Sequence, residues 1–147
     1  MEKHFAASGV ILNADHSKVL LLHHKKLAKW LFPGGHVEPN ESPDETVVRE
    51  IQEEVGLMVT LLQPDPLTLP EERQLPIPYC ILEEDIPAHK DTPQHKHVDF
   101  IFLTKTDTEK IPETAEKHDA GWYTKAEVQT LDTFPSIKQI CSQVMRD

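Results

Sequence analysis

Three glutamates, Glu50, Glu53 and Glu54, follow Arg49 in the stretch REIQEEVGL. Their spacing is i, i+3 and i+4, which on a helix sets side chains next to one another. Three carboxylates on one face offer several oxygens within reach of one or two small divalent cations. Mg²⁺ and Mn²⁺ favour oxygen ligands completed by water. Like charges so placed repel, and Glu38, Glu41 and Glu45 add to the crowd just upstream. A bound dication offsets that repulsion. The competing reading is a solvated acidic face, which is what runs of charge commonly are. Pro33-Gly34-Gly35 weighs toward the cation, because glycine lets the backbone approach closely and turn a carbonyl to the same ion.

The element that must carry these glutamates is a helix over 43–55. Ser42-Pro43-Asp44-Glu45 reads as a capping box with proline at the first helical position. Gly56 is placed to end the helix in a left-handed conformation. At about 100° per residue, Val47, Val48, Ile51 and Val55 form a core stripe and the three glutamates fall on the other side. Upstream, 5–12 and 18–23 read as a hairpin around the turn 13–17, and 30–32 is a short apolar piece stopped at Pro33. Downstream, strands are expected at 57–62, 77–83 and 98–104, with loops over 63–76 and 85–96. A second capping box, Thr124 to Glu127, opens a short helix, and an apolar stripe from Pro135 onward marks a last one. Strands mixed with a few helices indicate an α/β or α+β sandwich with a mixed sheet.

The chain has 147 residues, a length that suits one domain, 1–147, around one core. Its net charge is −10. That argues against a broad nucleic-acid-binding face, which needs basic residues to meet phosphates. A small phosphorylated ligand stays compatible if a dication bridges acidic protein and anionic substrate. No apolar run approaches a membrane span, and the N-terminus lacks a signal-peptide layout, so a cytoplasmic location is expected. Cys80 and Cys141 are isolated thiols, expected to be free and buried.

Gly35, five residues, Glu41, seven residues, then Arg49 to Leu57 resembles the Nudix box of Nudix hydrolases, GX5EX7REUXEEXGU, with every defined position filled. The order of elements, and Trp122 before the Thr124 helix, extend the resemblance to nearly the whole chain. It implies a Nudix-like α/β/α sandwich and hydrolysis of a nucleoside diphosphate linked to another group with Mg²⁺ or Mn²⁺. That class spans nucleoside triphosphates, oxidised nucleotides and nucleotide sugars such as ADP-ribose. By the same resemblance Glu53 and Glu54 are principal metal ligands, Glu50 is a ligand or the general base, and the Gly34 carbonyl is a backbone ligand. Arg49 orients the glutamates and pairs with Glu41. An additional acid from outside the box is expected at Glu116, with Asp119 as its rival. A homodimer is common in the family. The alternatives are a non-catalytic nucleotide-sensing domain, disfavoured by the intact box, and a pyrophosphohydrolase acting on the 5′ end of RNA.

His95, His97 and Asp99 alternate, so on a strand they share one face, with Val98, Phe100 and Phe102 on the other. The polar face of a strand is the plain reading; substrate contact and a transition-metal set are the alternatives. The run His23 to Lys26 reads as a solvated hairpin end or a phosphate contact. Trp30, Phe32, Tyr79 and Trp122 are packing residues or stacking platforms for a base. His36 receives no special role.

Overall fold

β1 (Lys3–Leu12) is the axis of the sheet. It pairs in parallel with β7 (His95–Lys105) along its whole length, from Lys3 opposite Lys96 to Leu12 opposite Lys105. On its other side β2 (Lys18–His24) joins the C-terminal end of β1 and β4 (Gly34–His36) joins the N-terminal half, both antiparallel. β3 (Lys29–Leu31) and β8 (Asp119–Thr124) pair with β2, while β5 (Thr60–Leu61) and β6 (Cys80–Ile86) pair with β7. The result is the expected mixed sheet, parallel at its centre and antiparallel outward. This computed structural model describes residues 1–113 and 119–147.

The period-2 alternation of the central strands sends side chains to two cores. Ala7 and Ile11 of β1, Leu20 and Leu22 of β2 and Phe102 of β7 meet α1 (Pro43–Val55) through Val47, Ile51 and Val55. Val10, Leu12, Val19, Leu21 and Ile101 face the other way. They pack on Val128 of α2 (Lys125–Val128) and on Ile137, Ile140 and Cys141 of α3 (Pro135–Val144). Helices thus cover both faces of one sheet. None of the described helices is long and apolar enough to cross a membrane.

The helix boundaries follow the sequence signals. The Ser42 N–H donates to Glu45 Oε1 at 3.0 Å, and Gly56 sits at φ 70°, its N–H returning to the Gln52 carbonyl. At α2, the Thr124 N–H donates to Glu127 Oε1 and the Glu127 N–H to Thr124 Oγ1, the reciprocal box.

Strands depart more from expectation. β4 forms just past Pro33, where no strand was expected, since two glycines carry almost no strand propensity and only the register with Ala6–Ser8 creates it. β5 is only two residues long, Thr60 and Leu61 opposite Lys105 and Thr104, with the Leu62 N–H still reaching the Leu103 carbonyl at 2.8 Å. β6 begins at Cys80, past Pro76 and Pro78, which have no N–H to give a ladder. It then runs to Ile86 opposite His95, so the loop expected over 85–96 is shortened at both ends. β8 was not anticipated; its DAGWYT stretch shows no clean alternation.

Candidate metal centre and active site

The site is built where β4 meets α1. The Pro33 carbonyl accepts from the Gly9 N–H at 2.9 Å, and the Val37 N–H donates to the Phe5 carbonyl at 3.0 Å, so the glycine strand is pinned along β1 at both ends. Gly35 lies opposite Ala7, on the face that α1 covers. A Cβ placed on Gly35 would stand 2.5 Å from the Glu50 carboxyl carbon, so the absence of a side chain is what lets that carboxylate lie against the strand. The Gly34 N–H donates to Glu54 Oε1 at 2.9 Å. Two of the three helix glutamates therefore meet the two glycines.

Arg49 ties the third to them. Its Nη1 donates to Glu50 Oε1 at 3.0 Å and to Glu53 Oε2 at 3.2 Å. On its other side Nε donates to Glu41 Oε2 at 2.6 Å and Nη2 to Glu41 Oε1 at 2.9 Å, a two-pronged carboxylate grip. Nη2 also reaches the His36 carbonyl at 3.4 Å. Glu41 Oε1 accepts further bonds from the Glu38 N–H and Thr46 Oγ1. Hydrogen bonds from Arg49, above all, hold the Glu41 carboxyl down at about 2. The same contacts raise the Arg49 guanidinium above its ordinary value, so this cation is permanent.

One guanidinium thus serves Glu41, Glu50 and Glu53, while Glu54 leans on a backbone N–H. Every candidate ligand atom here is an oxygen: carboxylates of Glu50, Glu53 and Glu54, with the carbonyl of Gly34 on the same strand. That donor chemistry fits a hard dication such as Mg²⁺ or Mn²⁺.

Glu116 lies outside the described residues. Asp119, its rival, is exposed at the start of β8 opposite His23. Phe32 is buried in the α3-side core, with Trp30 packed against it. The Trp122 indole donates to the Glu109 carbonyl at 2.7 Å, and Tyr79 holds Gln143 at 2.6 Å. His23 lies edge-on to Trp30, and His24 Nδ1 accepts from the Leu27 N–H in the turn. Cys141 is buried and free, its thiol pushed up to about 12 by desolvation, whereas Cys80 is only half-buried, short of the expected burial.

His95 and Asp99 lie on one polar face of β7, as the alternation indicates, and that face is buried here, the two being 4% and 6% exposed. Asp99 accepts from Ser8 Oγ at 3.0 Å. Burial and the charge of Asp99 raise the neighbouring Glu84 carboxyl, so the two acids resist ionising together. His97 does not stay with Asp99 alone: it meets His36 and His95, with His4 beside them. His36, given no role from sequence, belongs to this group. No local spacing signals it, because His4, His36 and the pair on β7 come from three strands and only the register joins them.

The model of the NUDIX domain family matches residues 2–143. A probable DHNTP pyrophosphohydrolase of Lactococcus lactis subsp. cremoris (strain MG1363) is 30% identical over 111 residues, covering 76% of this chain and 58% of that protein. An 8-oxo-dGTP diphosphatase of Proteus vulgaris is 55% identical over 31 residues, 21% of this chain and 28% of that protein. The chain therefore spans well under two thirds of the length of these curated relatives. A solved structure of a NUDIX-family hydrolase from Clostridium perfringens is 29% identical with a TM-score of 0.79, covering 98% of this chain and 97% of that one. With its glycine strand and glutamate helix inside a domain match that runs nearly end to end, this chain belongs to the Nudix family.

Proposed function

We propose that this protein is a metal-dependent pyrophosphohydrolase. Its substrate would be a nucleoside diphosphate linked to another group, such as a nucleoside triphosphate, an oxidised nucleotide or a nucleotide sugar. The observation that carries this reading is the convergence of Glu50 and Glu54 on Gly35 and Gly34, with Glu53 tied in through Arg49. The printed names of the Lactococcus and Proteus relatives, a pyrophosphohydrolase and a diphosphatase, point to the same bond class.

Glu53, Glu54, Glu50 and the Gly34 carbonyl would hold Mg²⁺ or Mn²⁺, which supplies charge neutralisation of the diphosphate and makes water easier to deprotonate. Glu50 would serve either as a further ligand or as the base that takes the proton of the attacking water. The water oxygen forms a bond to phosphorus, the P–O bond of the anhydride breaks, and the leaving phosphate departs with its bridging oxygen. Arg49 holds Glu50 and Glu53 in position, and Glu41 holds Arg49.

The test is a panel of nucleoside triphosphates, 8-oxo nucleotides, ADP-ribose, other nucleotide sugars and dinucleoside polyphosphates. Each is assayed with Mg²⁺ or Mn²⁺ and again with a chelator. Hydrolysis of one class, abolished by chelation, is expected. Tight nucleotide binding without turnover of any compound would contradict the reading in favour of a sensor.

A further inference from the structure

Four histidines from three strands meet at one end of the sheet: His4 on β1, His36 on β4, and His95 and His97 on β7. One ligand atom from each lies within 4.8 Å of all the others. The register explains the meeting. His4 stands opposite His97, and His36 opposite Ala6, two residues further along β1. By the strand period all four rings fall on the α3-side face, the opposite face from Glu50.

The contacts within the group are not those of an ordinary hydrogen-bond chain. His97 Nε2 lies 3.1 Å from His36 Nε2 and 3.2 Å from His95 Nε2. A ring nitrogen carries either one hydrogen or one lone pair, so His97 Nε2 has a single site facing two partners. His95 Nδ1 is 3.0 Å from the Pro93 carbonyl, which can only accept, so Nδ1 carries the hydrogen and Nε2 the lone pair. His4 Nε2 likewise lies 2.7 Å from the carboxylate oxygen Oε1 of Glu2. Fixing one ring nitrogen by a carbonyl or carboxylate while the other turns inward is the usual support of a metal-bound imidazole. In a tetrahedral site with Zn–N bonds of about 2.0–2.1 Å, neighbouring nitrogens stand about 3.3 Å apart, close to the two contacts above.

We propose that His4, His36, His95 and His97 form a site for a transition-metal dication of the Zn²⁺, Co²⁺ or Ni²⁺ type. It is distinct from the all-oxygen glutamate site. Imidazole nitrogens suit these ions, whereas Mg²⁺ seeks oxygen. The ion fastens β1, β4 and β7 together. It thereby steadies the strand whose His36 carbonyl meets Arg49 and whose Gly34 meets Glu54.

The test uses untagged, chelator-stripped protein titrated with Co²⁺. A four-coordinate nitrogen site gives intense visible absorption, whereas a six-coordinate oxygen site gives almost none. One strongly absorbing Co²⁺ per chain, bleached by Zn²⁺, is expected. His97→Ala and His36→Gln should weaken binding by more than about tenfold, and the double variant Glu53→Gln/Glu54→Gln should leave the absorption intact. Zn²⁺ should raise Tm in the parent chain and not in His36→Gln. His36 is exposed, so that variant decides the matter if His97→Ala does not fold. No absorbing Co²⁺, unchanged binding in the histidine variants, or loss in the glutamate variant would each overturn the proposal. Because the readouts are spectral and thermal, the outcome does not depend on whether the proposed hydrolysis is found.

Discussion

Arg49 places one planar guanidinium between Glu41 on one side and Glu50 and Glu53 on the other. Arg49→Lys keeps the charge but loses the fork, so it should lower kcat by about 100-fold through misplaced carboxylates. Steady-state kinetics with the substrate found in the panel checks this; an unchanged kcat would remove Arg49 from the positioning role. Glu41 gives a pH test. Its folded value of about 2 lies below the ordinary 4.5, so the unfolded chain takes up the proton first as pH falls. The stabilisation from this pair is complete above about pH 4.5 and drains away toward pH 2. Urea unfolding of the parent chain and Glu41→Gln should therefore differ most near neutrality and converge with acid. At this scale the sequence was informative about the glutamates, because i, i+3 and i+4 is a helix-surface pattern. It was silent on the fit of Glu50 over Gly35 and on the four histidines, which depend on strand register.

At the scale of elements, α1 brings Glu50 and Glu54 to β4 only because Val47, Ile51 and Val55 fix its roll on the sheet. All three are essentially fully buried. Ile51→Ala should cost about 2–5 kcal/mol of stability, read from chemical unfolding. The remaining folded fraction should also lose activity, since the helix that carries Glu50 and Glu54 would no longer be held against β4. Retained stability would mean that α1 docks by some other contact. The helices were legible because their caps and apolar stripes are local signals. β4 and β8 were not, because Gly34-Gly35-His36 and DAGWYT become strands only through partners distant in sequence.

Over the whole molecule, a net charge of −10 repels a polyphosphate unless cations stand between them. The sheet serves this by holding an acidic helix on one face, while α2 and α3 close the other with their apolar sides. The sandwich was predictable from mixed strand and helix patterns, whereas the pairing order was not. Hydrolysis as proposed depends on the dication that the glutamates of α1 would hold. The most direct measurement is Mg²⁺-dependent turnover of the parent chain against Glu54→Gln, with folding of both checked by circular dichroism. A loss of about 100-fold or more in kcat at matched Mg²⁺ is expected for Glu54→Gln. Turnover in Glu54→Gln equal to that of the parent chain, with the same Mg²⁺ dependence, would contradict it.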